Sequence, residues 1–101
     1  MGRGRRRRGA SPCQVELTRA AEKDLRALNR LEQQRVGVAI DGLEHDPRPA
    51  GAKALQGLPF LRIRVGHVRI VYAVDDAGRV VVVQVIGPQG KVYRLTDRRL
   101  R

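Results

Sequence analysis

The sequence predicts an α+β domain in which an N-terminal strand and a helical hairpin pack on one face of an antiparallel sheet, in the order βααββββ. Two observations about pattern carry this prediction. The first half of the chain places apolar residues at the helical spacing of three and four, and the second half alternates them at the strand spacing of two. A third observation is size, since 101 residues without an internal repeat suit one small domain.

The first half of the chain predicts a strand followed by two helices. Residues 13–18 alternate as a short strand, and Thr18 is a suitable N-cap for the helix that follows. The apolar stripe of that helix lies at Ala21, Leu25 and Leu28. After a break near residues 29–31, the stripe of a second helix lies at Val36, Ile40 and Leu43. Asp46-Pro47 should end the second helix, because the residue before a proline disfavours the helical conformation.

The second half predicts four strands, after a connector over residues 45–59 that is rich in proline and glycine. The strands are expected at residues 61–66, 67–75, 80–86 and 91–95. Turns are indicated at Gly66-His67, at residues 75–78 and at the Gly-Pro-Gln-Gly sequence of residues 87–90. The unbroken valines of residues 80–83 are typical of a central strand covered on both faces.

The N-terminal residues 1–12, MGRGRRRRGASP, predict a disordered basic arm ahead of a single domain over residues 13–101. The arm could bind phosphates without specificity, or it could reflect the choice of start codon. The chain has a formal net charge of +11, and without the five arginines of the arm +6 remains. A basic domain favours nucleic acid, anionic lipid or an acidic protein as its partner, although an arginine-rich composition also arises in GC-rich genomes.

The stretch LRIRVGHVRIVYAVDD, residues 61–76, concentrates positive charge on one face of the predicted sheet. Arg62 and Arg64 share a face because side chains alternate along a strand. Arg69 follows on the neighbouring antiparallel strand, after the Gly66-His67 turn. A solvated sheet face usually mixes both signs of charge, whereas this one carries only cations, which indicates a surface that holds a polyanion.

This stretch and its surroundings resemble the RelE/ParE superfamily of bacterial toxins, in particular the RelE-type ribosome-dependent mRNA interferases. The resemblance runs from Val15 to Arg94. It includes the helical hairpin, the segment HDPRPAGAKALQG, the RIRVGHVRIVYAVDD core and an I-G-x-x-x-x-V-Y-R ending. Each piece alone is weakly specific, but their order and spacing are specific together. The resemblance implies a cytoplasmic RelE-like toxin whose active surface is the sheet face away from the helices, without a metal or other cofactor.

The resemblance also implies a set of catalytic residues. In the family, the 2′-hydroxyl of the RNA attacks the adjacent phosphorus, and the enzyme supplies proton carriers and cations. Arg62 and Arg64 match positions where family members often carry lysines. Arg69 matches the arginine of a G-x-x-R turn, and Tyr93 matches the V-Y tyrosine. These four are the catalytic residues that the resemblance implies.

The ending departs from the family pattern in a way that bears on proton transfer. Many relatives read Gly-His-Arg before the tyrosine, whereas here Gly87 is followed by Pro88 and Gln89. Arginine binds phosphate but is a poor general base near neutral pH. The candidate proton carriers are therefore the tyrosine of the ending and three further residues, Lys53, His67 and Lys91.

Four residues are expected to contact the substrate, namely Lys53, His67, Gln89 and Lys91. Histidine titrates near neutral pH, but a turn histidine is also typically a solvated residue. Lys91 should share a strand face with Tyr93, which either stacks on a base or packs at the sheet edge. Tyr72 lies amid apolar residues and is expected in the core with its hydroxyl bonded.

Three functions stay open on the sequence. The first is the toxin of a type II toxin–antitoxin system that cleaves mRNA on the ribosome, is neutralised by a cognate antitoxin, and binds operator DNA through that antitoxin. The second is a ParE-like inhibitor of DNA gyrase, and the third is a degenerate member that only binds ribosome or antitoxin. The lone Cys13 excludes an internal disulfide, no apolar run suits a membrane, and no zinc signature or phosphate loop is present.

Overall fold

A computed structural model describes residues 13–100, and the predicted basic arm over residues 1–12 lies outside the described residues. The elements are β1 (Gln14–Leu17), α1 (Arg19–Arg26), α2 (Arg30–Gly42), β2 (Lys53–Ala54), β3 (Leu61–Val65), β4 (Val68–Asp75), β5 (Val80–Pro88) and α3 (Gln89–Leu100). The strands form one sheet in the order β1-β5-β4-β3-β2. The α+β class is therefore confirmed. The observed order is βααββββα, in which the short β2 was not predicted and α3 replaces the last predicted strand.

The prediction of an antiparallel sheet is wrong for one pair of strands. β1 runs parallel to β5, with Gln14 opposite Val80 and Leu17 opposite Val83, while the other neighbouring strands are antiparallel. A tight turn forces consecutive strands to be antiparallel, but β1 and β5 are far apart in the sequence and no such turn joins them. The sheet is consequently mixed, with its parallel pair at one edge.

Side-chain caps define the helical hairpin. The Thr18 hydroxyl accepts a hydrogen bond from the Ala21 amide at 3.0 Å, which confirms the predicted N-cap of α1. Asn29 and Glu32 form a capping box at the start of α2, since each side chain accepts from the backbone amide of the other. The predicted break near residues 29–31 is confirmed. α2 ends at Gly42, ahead of the predicted end at Asp46-Pro47.

The helical hairpin covers one face of the sheet with a continuous apolar core, as predicted. Buried residues of the two helices pack against buried side chains of β3, β4 and β5, namely Ala21, Val36, Ile40, Ile63, Ile70, Tyr72, Val81 and Val83. Tyr72 is fully buried, and its hydroxyl donates to the Pro47 carbonyl at 2.7 Å, as expected from the sequence. Burial raises the pKa of Tyr72 to about 12, because an ionised phenol would lose its hydration.

The predicted strand at residues 91–95 is wrong. β5 continues through Pro88, and α3 begins directly at Gln89, so residues 87–90 form no hairpin. α3 folds onto the second face of the sheet, where Val92 packs against Val71 and Val85. Val92 and Tyr93 belong to the β-branched and aromatic types that favour strands. The helix forms nevertheless, because this apolar sheet surface is available to cover its apolar side.

A β-bulge in β5 distributes valines between the two faces. Val71 of β4 lies opposite Val85, but Tyr72 lies opposite Val83, so Gln84 is an extra residue. Because of this extra residue, Val83 and Val85 point to opposite faces of the sheet, although residues two apart in a regular strand share a face. Val83 therefore packs under the helical hairpin, whereas Val85 packs under α3. The expected coverage of β5 on both faces occurs here, while Val80 and Val82 are only partly buried.

An ion pair between Asp24 and Arg99 covers the part of β5 that extends beyond its pairing with β1. Asp24 of α1 accepts from the Ile86 amide at 3.1 Å and from the Arg99 guanidinium of α3 at 2.9 and 3.0 Å. Arg99 also donates to the Gln84 carbonyl at 3.1 Å. The hydrogen bonds and charge of Asp24 raise the pKa of Arg99 above its ordinary value. This contact joins the helical hairpin to α3 across the sheet edge.

The described helices are too short and polar to cross a lipid bilayer; none of those within residues 13–100 has a membrane-spanning apolar stretch.

Candidate active face

Four cations lie together on the second face of the sheet. Lys53 of β2 is directly opposite Arg62 of β3, and Arg64 of β3 is directly opposite Arg69 of β4. Directly opposed residues of antiparallel strands point to the same face. Arg62 is also opposite Val71, whose side chain packs under α3. These four residues are called the cationic face below, and the convergence of the three arginines agrees with the sequence prediction.

The cationic face is not neutralised by carboxylates of the described chain. Within residues 13–100, none of its four members forms a salt bridge. Arg64 and Arg69 face each other across two strands, and like charges at such positions destabilise a sheet. A bound anion would offset the repulsion between these two guanidinium groups, so the arrangement suits a polyanionic ligand.

Two side chains of α3 orient two of the arginines without neutralising them. The Arg62 guanidinium donates to the Tyr93 hydroxyl, and its Cζ lies 6.0 Å from the centroid of the Tyr93 ring. Arg69 donates to Gln89 Oε1 at 3.0 Å and to the Gly66 carbonyl at 3.3 Å. Each guanidinium keeps its full positive charge and further donors. Such preorganised donors are what a developing negative charge on phosphate requires.

His67, predicted to contact the substrate, is turned toward the opposite side of the sheet. It lies in the β3–β4 turn, and its Nε2 is 2.8 Å from Glu32 Oε2 at the start of α2. Because Glu32 belongs to the helical hairpin, this contact draws the imidazole away from the cationic face. The structure does not bring His67 together with the other predicted site residues.

Lys91 does not share a face with Tyr93, contrary to the expectation from a strand. Successive residues of a helix are separated by about 100°, so residues two apart point in nearly opposite directions. The Lys91 side chain lies over Gly87, where an added Cβ would be 3.9 Å from Lys91 Cδ. Gly87 lies directly opposite Arg69, so Lys91 extends toward the Arg69 side of the cationic face. The residues of this region that can exchange a proton are therefore Lys53, Lys91 and Tyr93, since arginine stays protonated.

A pocket next to Tyr93 was not predicted from the sequence. Its volume is about 330 Å³, and its lining residues are Leu55, Gln56, Leu58, Tyr93, Thr96 and Asp97. The last three belong to one side of α3, at the helical spacings of three and four. A helical interpretation of residues 89–100 would have revealed this grouping, whereas the expected strand separated the three residues.

The sequence of residues 15–93 matches the family model described as the ParE toxin of the type II toxin–antitoxin system, parDE. The match spans most of the described chain, including every member of the cationic face and Tyr93. The chain belongs to the ParE toxin family of type II toxin–antitoxin systems, within the RelE/ParE superfamily that its motifs resemble. Comparison with curated protein sequences gives no match.

Solved toxin structures share the fold. The toxin–antitoxin complex RelBE2 from Mycobacterium tuberculosis aligns at 25% identity and a TM-score of 0.70, over 77% of this chain and 99% of that chain. A free mutant of Escherichia coli RelE aligns at 24% identity and 0.70, over 89% and 99%. The YoeB/ParE toxin from Agrobacterium tumefaciens aligns at 17% identity and 0.66, over 75% and 98%. These similarities confirm a RelE-like fold.

Proposed function

We propose that this toxin is a metal-independent endoribonuclease that cleaves mRNA on the ribosome and thereby stops translation in the cytoplasm. The observation that carries the proposal is the cationic face, in which Arg62 and Arg69 are held by neutral partners, the Tyr93 hydroxyl and the Gln89 amide. A phosphate that enters this face meets several guanidinium donors that need no rearrangement.

The chemistry assigned to this face is an internal transesterification of RNA. The 2′-oxygen attacks the adjacent phosphorus and loses its proton, a bond forms between them, and the bond from phosphorus to the 5′-oxygen breaks. The departing 5′-oxygen takes up a proton, and the upstream fragment ends in a cyclic phosphate. Arg62, Arg64 and Arg69 would stabilise the charge on phosphorus oxygens. The candidate proton carriers are Tyr93, Lys53 and Lys91.

The ribosome would compensate for the weak proton acceptors of this face. Arginine cannot act as a base near neutral pH, and His67 is held by Glu32 on the other side of the sheet. Positioning of the 2′-hydroxyl in line with the scissile bond can lower a barrier by several kcal/mol, about 7–11 kcal/mol at most. We therefore expect rapid cleavage of ribosome-bound mRNA and slow cleavage of free RNA.

A cognate antitoxin is the proposed protein partner. Several structural neighbours are toxin–antitoxin complexes, including RelE–RelB from Pyrococcus horikoshii OT3. Acidic residues of an antitoxin segment would complement the unpaired cations of this chain and make association fast and salt-sensitive. The complex would bind operator DNA through the antitoxin.

Inhibition of DNA gyrase is the second candidate, because the matching family model is that of the ParE toxin of parDE. The order in which cells stop macromolecular synthesis separates the two functions. After induction of this chain alone, incorporation of labelled amino acids should fall before incorporation of labelled thymidine. If DNA synthesis stopped first, the gyrase function would replace the nuclease.

Arg69→Ala tests the cationic face directly. The variant should lose about 2–4 kcal/mol of transition-state stabilisation, as when other preorganised donors are removed. Arg69→Lys should retain intermediate activity, because it keeps the charge but loses the planar fork. Cleavage of ribosome-bound mRNA by the purified proteins measures the effect. Arg35→Ala, an exposed arginine of α2, is the matched control and should cleave like the wild type.

A further inference from the structure

We propose that the pocket beside Tyr93 binds a nucleobase of the same RNA whose phosphate lies on the cationic face, and that Gln56 and Thr96 determine which base is preferred. This inference rests on the proposed nuclease function and extends it to sequence specificity. The pocket lies between α3 and the loop that joins β2 to β3. No residue assigned above to the cationic face lines it, so it is a separate subsite.

Tyr93 connects the pocket to the cationic face. Its hydroxyl accepts from Arg62, while the residue also lines the pocket. The residue is 40% exposed, which leaves ring surface available to a ligand. A nucleotide with its phosphate near Arg62 could therefore place its base in the pocket by passing over this one ring. Tyrosine rings commonly stack on the unpaired bases of single-stranded RNA.

The lining of the pocket suits an uncharged, flat ring and not a phosphate. Leu55 and Leu58 provide apolar walls from the loop, and the charged member of the lining is the acidic Asp97, which disfavours a phosphate. A volume of about 330 Å³ lies at the small end of the range for ligand pockets. Gln56 is exposed at the rim and offers both a donor and an acceptor, which are the groups that read the edge of a base.

Thr96 supplies an unused polar group in the pocket wall. The side chain is only 4% exposed, and its hydroxyl has no hydrogen-bond partner within the described residues. Valine would fill the same volume without leaving a buried hydroxyl unbonded. The oxygen is buried in the described rotamer, so its contact with a base requires a χ1 rotation, and threonine in a helix has two accessible χ1 rotamers. A ligand would thus satisfy a group that the fold itself leaves without a partner.

The test measures cleavage of four ribosome-bound mRNAs that differ only in one base at the cleavage site. The wild type should cleave the four at unequal rates. Thr96→Val removes the hydroxyl at nearly constant shape, and Gln56→Leu removes the amide. Each should change the ratio between the best and worst bases by roughly 3- to 10-fold, the effect of one hydrogen bond. Gln34→Leu, an exposed glutamine of α2, is the matched control and should keep the wild-type ratios.

Each outcome distinguishes this inference from the proposed function. Variants that retain the wild-type circular dichroism spectrum and the wild-type ratios would overturn the base pocket while the nuclease function stands. A wild type that cleaves all four mRNAs equally would also overturn it. A wild type that cleaves none of them would overturn the nuclease function and the base pocket together.

Discussion

The two faces of the sheet differ in how completely their helices cover them. Under the helical hairpin, aliphatic side chains and the satisfied Tyr72 form a continuous buried core. Under α3, the buried apolar cluster of the described residues consists of Val71, Val85 and Val92, and the β2–β3 side of that face carries cations. The first face stabilises the fold, whereas the second combines a small core with charges that a compact domain would otherwise avoid. Stability and binding are thus separated onto opposite sides of one sheet.

The ion pair between Asp24 and Arg99 is the contact that makes the two faces depend on each other. Asp24→Ala should lower the free energy of unfolding by about 2–4 kcal/mol, because it leaves the Ile86 amide and the Arg99 guanidinium without their acceptor. Urea unfolding followed by circular dichroism measures this loss. Activity should fall as well, since α3 carries Tyr93 and Gln89.

An exposed ion pair provides the control for Asp24→Ala. Arg48 and Asp76 lie 3.0 Å apart, but their side chains are 52% and 71% exposed. Surface pairs of this kind contribute little to stability. Asp76→Ala should therefore give an unfolding curve that overlaps that of the wild type. An Asp24 variant as stable as the Asp76 variant would show that the two faces are stabilised independently.

Tyr72→Phe tests the hairpin face alone. The variant loses the hydrogen bond to Pro47 and should be less stable by about 1 kcal/mol near neutral pH. The phenol has a pKa raised from 10.0 to about 12 by burial, so its neutral form is favoured in the fold. The wild type should therefore keep this contribution below pH 10 and lose it as the pH rises through 12.

The comparison of wild type and Tyr72→Phe across that pH range isolates the phenol from other titrating groups. The difference between their free energies of unfolding should shrink or reverse above pH 10. Cleavage activity of the variant near neutral pH should match that of the wild type once both are folded. A large loss of activity would mean that the hairpin face contributes to the site.

Gln89→Leu tests the orientation of Arg69 on the second face. The change removes the acceptor at 3.0 Å but keeps every charge of the cationic face. The variant should lose about 0.5–1 kcal/mol of transition-state stabilisation, and its activity should fall less than that of Arg69→Ala. Stability should be unchanged, because residue 89 is exposed. A loss as large as that of Arg69→Ala would assign Gln89 a direct contact with substrate.

Local signals in the sequence predicted the hairpin face well. Thr18 and the apolar stripes of α1 and α2 act within one or two helical turns, so they can be recognised without knowledge of the fold. The β3–β4 turn is equally local, and it places Arg69 on the same face as Arg64, as expected. The three arginines of the cationic face could therefore be grouped correctly from sequence alone.

Long-range contacts account for what the sequence did not predict. β2 has only two residues and is defined by its pairing with Leu61 and Arg62. α3 is helical because of the sheet surface beneath it, and Arg99 meets Asp24 across 75 positions of the chain. Tyr93 was predicted as a site residue because it matches a family motif, whereas the strand expected to contain it does not form. The resemblance gave its place beside the arginines, but the pocket on its other side required the helix.

The identity of the RNA ends formed in cells tests the proposed nuclease most directly. Primer extension on transcripts isolated soon after induction should reveal new 5′ ends within translated regions for the wild type and for Arg35→Ala. The same ends should be strongly reduced for Arg69→Ala, although the variant remains folded. Growth arrest by the wild type without new ends, or equal ends from Arg69→Ala, would contradict cleavage by the cationic face.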